Sequence, residues 1–126
     1  MTGRPVLPVG VRTAGPYSPG VAAGGFVFVS GQIPVDEAGE LVRGGIEGQL
    51  RRCLENVRAV LAAAGADLAD LVQVTIFLVD MGDYPEVNRV YAQYFDLAPP
   101  ARVCVQVAAL PQGARIEVAG VAYRPD

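Results

Sequence analysis

Three side chains capable of acid–base or nucleophilic chemistry lie on two short alternating segments near the C-terminus. Residues 102–107 read Arg-Val-Cys-Val-Gln-Val, and residues 114–119 read Ala-Arg-Ile-Glu-Val-Ala. Alternation of apolar and polar residues predicts a β-strand in each segment. The Leu-Pro-Gln-Gly sequence at 110–113 has the proline and glycine of a turn. We therefore predict that the two strands pair as a hairpin.

The register of this hairpin would follow from burial of its apolar side chains, because a slip of one residue turns every side chain to the other face. The apolar set is Val103, Val105, Val107, Ile116 and Val118. If these residues share the buried face, Arg102, Cys104 and Glu117 lie together on the opposite face. A guanidinium, a thiol and a carboxylate on one face of otherwise apolar strands indicate a functional site.

Each of these three residues also has a structural interpretation. Arg102 could form a surface ion pair, Cys104 could be a small core residue, and Glu117 could be a solvated strand residue. Their predicted convergence, beside a Pro99-Pro100 pair that stiffens the approach to Arg102, favours the functional interpretation.

The composition limits the kind of protein. The chain has 126 residues, of which 52% are hydrophobic and 18% charged, so we expect one domain over residues 1–126 with a substantial core. No apolar run is long enough to span a membrane, and the N-terminal residues lack a signal-peptide core. Two cysteines suit a reducing compartment. We expect a cytoplasmic protein without a membrane partner.

The charged residues restrict the chemistry further. The net charge of −3 gives no basic footprint for nucleic acid. The sequence contains no histidine and no lysine, so all ten cationic side chains are arginines. A histidine-activated nucleophile, an imidazole metal ligand and a lysine Schiff base are therefore impossible. Catalysis would depend on carboxylate, thiol, phenol, guanidinium, backbone and water, and we expect no metal or other cofactor.

Helical periodicity predicts two helices that could support the site. Apolar residues at helical spacing cover residues 46–64, and Gly65 is placed to end this helix. Cys53 lies on its apolar stripe and is assigned to the core. A second helix is predicted over residues 84–95, with Asp83 and Glu86 as a capping box. Asn88 lies just beside the apolar stripe of this helix.

Two further segments read as strands. Residues 26–32 alternate and end in Ser30-Gly31-Gln32, where the glycine indicates either a β-bulge or close approach of a ligand. Residues 71–79 are apolar on both faces, which is typical of a central strand covered on both sides. The whole order predicts an α+β fold with a mixed sheet and two helices on one face. The other face would then be buried by another subunit, which implies a homo-oligomer.

The motifs along the chain resemble those of the reactive intermediate deaminase (RidA/YjgF) family. The matching residues are Gly15-Pro16-Tyr17-Ser18, Ser30-Gly31-Gln32-Ile33-Pro34, Gln49, Asn56, Ala64-Gly65, Val87-Asn88 with Tyr91, Pro100-Ala101-Arg102, and Leu110-Pro111 with Glu117. The resemblance extends from about residue 14 to the C-terminus. It implies a chorismate-mutase-like fold and a homotrimer with sites in the clefts between subunits.

The resemblance also implies an activity and residue roles. The family hydrolyses reactive 2-imino or enamine acids, such as 2-iminobutanoate and 2-iminopropanoate, to 2-keto acids and ammonia without a cofactor. By position, Arg102 would hold the substrate carboxylate, and Cys104 and Glu117 match the other strand residues of the site. The residues that match the lining of the cleft are Tyr17, Ser30, Gly31 and Asn88.

The residue chemistry is compatible with imine hydrolysis but leaves alternatives open. Arg102 can grip a carboxylate with two parallel hydrogen bonds, and Glu117 can serve as general base for water. Cys104 is interpreted as a wall of the pocket, since no histidine is present to activate the thiol. A non-catalytic binder or sensor of small 2-keto carboxylates is an alternative. A chorismate-mutase-type enzyme is a weaker one, because a dicarboxylate substrate would require a second arginine.

Overall fold

Six strands form one mixed sheet, and two helices pack against it in a computed structural model that describes residues 3–8, 13–95 and 97–125. The strands are β1 (Arg4–Val6), β2 (Gly20–Ala23), β3 (Phe26–Gln32), β4 (Leu71–Leu78), β5 (Ala101–Gln106) and β6 (Ile116–Tyr123). The helices are α1 (Gly45–Ala63) and α2 (Tyr84–Tyr91). The predicted α+β fold with two helices on one face of the sheet is confirmed.

Helix α1 forms the centre of the core, as its apolar periodicity predicts. Its fully buried side chains are Leu50, Cys53, Leu54, Val57, Val60 and Leu61. The helix ends as predicted, because Gly65 adopts a left-handed backbone with φ of 80° and its N–H donates to the carbonyl of Ala62. The assignment of Cys53 to the core is confirmed.

Helix α2 is shorter than predicted and begins differently. Regular helix ends at Tyr91, although Phe95 still donates to the Tyr91 carbonyl from the turns that follow. The predicted capping box is wrong, because Asp83 makes no side-chain capping bond. Its two carboxylate oxygens instead accept from Arg115 Nη2 at 2.8 and 2.9 Å. This ion pair ties the start of α2 to the segment that enters β6.

The strand order across the sheet is β1-β2-β3-β6-β4-β5. All neighbouring strands are antiparallel except β4 and β5, which run parallel. The parallel pair results from the connection through α2, which returns the chain to the free edge of β4. Strand β6 then inserts between β3 and β4.

The predicted hairpin between residues 102–107 and 114–119 is therefore wrong. Both segments are strands, but β5 pairs with β4, and both edges of β6 are occupied by β3 and β4. The segment between β5 and β6 crosses the end of β4, where the Val107 N–H donates to the Leu78 carbonyl at 2.7 Å. Alternation identified the strands but carried no information about their partners.

The register also separates the three residues predicted to share a face. Arg102 and Cys104 pair with Val74 and Ile76 of β4, which are fully buried beneath the helices. Glu117 pairs with Phe77, one residue out of phase with those core positions, so it points to the helix-free face. Arg102 and Cys104 thus lie on the helix side of the sheet, and Glu117 lies on the other side.

The helix-free face carries large apolar side chains that are exposed in a single subunit. Val103 and Val105, predicted to be buried, are 51% and 39% exposed there. Farther along the same face, the ring of Phe26 lies 4.8 Å from Tyr123 and 6.2 Å from Phe28, measured between ring centroids. Exposed apolar surface of this kind is typical of an interface. The homo-oligomer stays a prediction.

Candidate active site on two sides of the sheet

Arg102 is held by one face of α2. Its Nη2 donates to the Tyr84 hydroxyl at 3.0 Å and to Asn88 Oδ1 at 2.8 Å. Positions 84 and 88 are one helical turn apart, so their side chains point to the same place. The edge position of β5 brings the guanidinium under this helix face. Two predicted site residues, Arg102 and Asn88, are thereby brought together.

Two aromatic rings lie beside the same guanidinium. The Arg102 Cζ atom lies 4.9 Å from the centroid of the Tyr91 ring and 5.5 Å from that of Tyr84. At these distances the cation is attracted to the ring faces, especially where water is excluded. Arg102 is therefore a cation with a defined orientation.

Cys104 lies on the same side of the sheet, two residues after Arg102 on β5. Burial raises the pKa of its thiol, and the nearby Arg102 charge lowers it by a smaller amount. A thiol with a raised pKa is mostly protonated near neutral pH and is a weak nucleophile. This electrostatic setting favours the interpretation of Cys104 as a pocket wall.

Glu117 lines a cavity of about 180 Å³ on the other side of the sheet. The lining residues are Thr13, Ala14, Tyr17, Gly31, Gln32, Ile33, Val35, Gly39, Pro111, Gln112 and Glu117. The Tyr17 phenol, half exposed, accepts a hydrogen bond from the Ala14 N–H at 3.3 Å. Three predicted site residues, Tyr17, Gly31 and Glu117, are thus brought together here.

The Ser30-Gly31 pair forms a bulge that lets Glu117 approach the backbone. The register of β3 with β6 shifts between Val29 and Gln32. A Cβ atom at Gly31 would overlap the carboxylate of Glu117, so any larger residue would displace that side chain from its present position. Ser30 Oγ donates to the Ser18 carbonyl at 2.6 Å, which fixes the segment that carries Tyr17. Ser30 therefore does not line the cavity but positions the segment that does.

The electrostatics of Glu117 suit a proton acceptor. Partial burial raises the pKa of its carboxyl group, and none of the described side chains forms a hydrogen bond with it. A carboxyl group with a raised pKa is a stronger base when ionised. Glu117 therefore has the environment of a general acid–base residue.

Substitution of Glu117 by glutamine should change the pH dependence of stability. Below the ordinary carboxyl pKa of 4.5, the group is neutral in the folded and unfolded chain alike. As pH rises through the raised folded pKa, the unmodified protein must ionise a partly buried group and loses stability, whereas the glutamine variant does not. We expect Glu117→Gln to be the more heat-stable protein at neutral pH. Melting temperatures that differ equally at all pH values would contradict this.

Buried amides support the cavity and were not assigned a role from sequence. Asn56 Nδ2 donates to the carbonyls of Ile33 and Val35 at 3.2 and 3.0 Å. Gln49 Oε1 accepts from the Arg115 N–H at 2.9 Å. Buried polar side chains on the apolar stripe of a helix are unusual. Their position in the sequence could therefore have indicated a role for these two amides. Both residues position loops that border Glu117.

Tyr84 was also missed as a site residue. Apolar periodicity identifies Tyr84 only as the start of a helix, although it lies four residues before Asn88. The spacing of the two residues was a usable signal, but which helix face meets Arg102 depends on tertiary packing.

Within the part of the chain that the structure describes, no group of three His, Cys, Asp or Glu side chains could hold a metal ion. In those same residues, no helix has the length and apolar character needed to cross a membrane.

Comparison with known proteins identifies close relatives. Residues 9–124 match the family model described as Endoribonuclease L-PSP. A RutC family protein of Pyrococcus horikoshii is 49% identical over 114 residues, which cover 90% of each chain. TdcF of Escherichia coli, named as a candidate reactive intermediate deaminase, is 43% identical over 114 residues covering 87% of this chain and 88% of TdcF.

Solved structures have the same fold. A yeast protein superposes with a TM-score of 0.95 at 39% identity, covering 98% of this chain and 99% of the yeast chain. The crystal structure of E. coli TdcF with bound serine superposes with a TM-score of 0.83 at 43% identity, covering 89% and 91% of the two chains. The similarity thus extends over nearly the whole chain.

Proposed function

Because this chain belongs to the Endoribonuclease L-PSP family, also called RidA/YjgF, we propose that it hydrolyses reactive 2-imino or enamine acids. The products are the 2-keto acid and ammonia, and 2-iminobutanoate and 2-iminopropanoate are the proposed substrates. The residue content is sufficient, since a protonated imine is open to attack by water without lysine or metal.

The observation that carries this proposal is the fixed orientation of Arg102. Arg102 donates hydrogen bonds to Tyr84 and Asn88, and its guanidinium lies beside the rings of Tyr84 and Tyr91. A guanidinium fixed in this way is suited to bind a carboxylate. TdcF, a relative with the same fold, has been crystallised with serine, which is a small 2-amino carboxylate. A 2-imino carboxylate differs from this class mainly by its C=N bond.

The proposed mechanism uses Arg102 and Glu117 in turn. Arg102 binds the carboxylate and fixes the imine carbon. Ionised Glu117 removes a proton from a water molecule while the water oxygen bonds to that carbon. The C=N electron pair moves to nitrogen. The protonated Glu117 then returns its proton to the amine. The C–N bond breaks as the hydroxyl oxygen forms the C=O bond, and Glu117 takes up the hydroxyl proton and passes it to the departing ammonia, which leaves as ammonium. One water is consumed for each ammonia released.

A single subunit cannot place both residues on one small substrate. Arg102 and Glu117 lie on strands separated by β4, roughly 10 Å between backbones, and their side chains point to opposite sides of the sheet. A three- or four-carbon acid is too short to reach both. We therefore propose that the site combines Arg102 of one subunit with Glu117 of its neighbour in a homotrimer. Tyr17, Ser30 and Gly31 would belong to the Glu117 side, and Asn88 and Cys104 to the Arg102 side.

The trimer gives a separate prediction. We expect light scattering to give three times the subunit mass, because association would bury the apolar helix-free face. Phe28→Asp, at an exposed apolar side chain of that face, should dissociate the trimer. The control is Ala62→Asp, at an exposed position of α1, which should leave the mass unchanged. A monodisperse monomer of the unmodified protein at micromolar concentration would refute the prediction.

The direct test is hydrolysis of an imine formed in the assay. A threonine dehydratase reaction generates 2-iminobutanoate, and its decay is followed with and without the protein. We expect accelerated release of 2-oxobutanoate and ammonia. If the protein binds 2-oxobutanoate but does not accelerate imine decay, it is a non-catalytic binder.

An RNA-cleaving activity, which the family description names, is a weaker proposal for this chain. The net charge is −3, and the sequence contains neither lysine nor histidine. Phosphate backbones are normally bound by clustered cations, and general acid–base cleavage of RNA most often uses histidine.

Cys104→Ser tests the assignment of the thiol to the pocket wall. We expect the variant to fold and to retain substantial imine hydrolysis, since serine keeps the approximate size and the raised pKa makes the native thiol a weak nucleophile. The measurement is kcat/KM for 2-iminobutanoate. Complete loss of turnover in a folded variant would make Cys104 a nucleophile.

A further inference from the structure

We propose that Tyr84 is a positioning residue that sets the orientation of Arg102 through its hydroxyl group. This inference deepens the proposed function, since it rests on Arg102 as the carboxylate anchor. Tyr84 would not react with the substrate. Its contribution would be to hold the guanidinium in the orientation that accepts a carboxylate.

The geometry of Arg102 Nη2 supports this role. Nη2 has two N–H groups and two acceptors nearby, the Tyr84 hydroxyl at 3.0 Å and Asn88 Oδ1 at 2.8 Å. With Asn88 alone, the guanidinium could pivot about a single N···O contact. A second acceptor one helical turn away defines the direction of the group as well as its position.

The remaining donors of Arg102 point to the same conclusion. Among the described residues, neither Nε nor Nη1 of Arg102 forms a hydrogen bond. The two acceptors on α2 occupy both N–H groups of Nη2. The donors that are available to a ligand are therefore those of Nε and Nη1.

Tyr91 provides a matched comparison within the same cluster. The rings of Tyr84 and Tyr91 both lie against the Arg102 guanidinium. The Tyr91 hydroxyl, however, is buried and has no partner among the described residues. Replacing either tyrosine by phenylalanine keeps the ring contact and removes one hydroxyl group. Only at position 84 does this remove a hydrogen bond to Arg102.

The experiment uses the full-length protein with ¹⁵N-labelled arginine. NMR measures the rate of rotation about the Cζ–Nη2 bond of Arg102, and the Arg102 signal is assigned by its absence in Arg102→Lys. Calorimetry measures the Kd for 2-oxobutanoate. In Tyr84→Phe we expect rotation and the Kd each to increase about tenfold, the effect of losing one hydrogen bond to a charged group. In Tyr91→Phe we expect a clearly smaller change in both quantities, because the ring contact with Arg102 is kept and no hydrogen bond to Arg102 is lost. Both variants should fold, because each loses only one oxygen atom.

The outcomes separate this inference from the proposed function. If Tyr84→Phe leaves the rotation rate unchanged, or raises the rate without weakening 2-oxobutanoate binding, Tyr84 is not a positioning residue. Equal changes in the two variants would likewise overturn the proposal. If the unmodified protein does not accelerate hydrolysis of 2-iminobutanoate, the proposed function fails, and rotation alone then decides whether the hydroxyl orients Arg102.

Discussion

Replacement of Arg102 by lysine should lower kcat/KM for 2-iminobutanoate roughly 10²-fold, the scale expected when a substrate is displaced by about an ångström. Lysine keeps the positive charge but presents three donors around a point, whereas the guanidinium presents donors in one plane. The ammonium group also cannot satisfy Tyr84, Asn88 and a carboxylate with the geometry that Arg102 uses. Steady-state kinetics on imine formed in the assay measures the effect.

A conservative replacement elsewhere controls for the change from arginine to lysine. Arg58 lies on the exposed side of α1, where it pairs with Glu55 at 3.1 Å. Arg58→Lys should leave kcat/KM unchanged, since exposed ion pairs contribute little. If Arg102→Lys retained the kinetics of the Arg58→Lys control, Arg102 would not be the carboxylate anchor.

Replacement of Glu117 by glutamine should reduce turnover roughly 10²–10⁴-fold, the usual contribution of general acid–base catalysis. Glutamine keeps the size of the side chain but cannot accept a proton from water. Binding of 2-oxobutanoate should survive, because Arg102 still holds the carboxylate. The activity of the unmodified protein should rise with pH as Glu117 ionises through its raised pKa. The variant should lack that rise.

The corresponding control is Glu55→Gln, at an exposed glutamate of α1. Kinetics, calorimetry and melting temperature are measured on both variants. Undiminished turnover in Glu117→Gln would remove Glu117 from the mechanism. Loss of both 2-oxobutanoate binding and folding would instead make Glu117 a structural residue.

The sequence by itself determined both helices, four of the six strands and the family of this protein. Helix α1, its end at Gly65 and the burial of Cys53 follow from local periodicity and backbone preference, which act within a few residues. The strands at 26–32 and near residues 102 and 117 follow from alternation, and the strand at 71–79 follows from a run that is apolar on both faces. The order of motifs identified the family. These features depend on interactions between residues close in the chain or on residue identity, and both can be read from the sequence alone.

Only the tertiary structure decided how the strands pair and which faces they share. Alternation divides a strand into two faces but does not state which face meets the helices. The chain segment through α2 delivers β5 to the free edge of β4, and β6 fills the position between β3 and β4. Arg102 is thereby directed toward Tyr84 and Asn88, and Glu117 toward the opposite side. Long-range pairing depends on the whole arrangement of elements, so two strands that look like a hairpin in sequence are separated by a third in the fold.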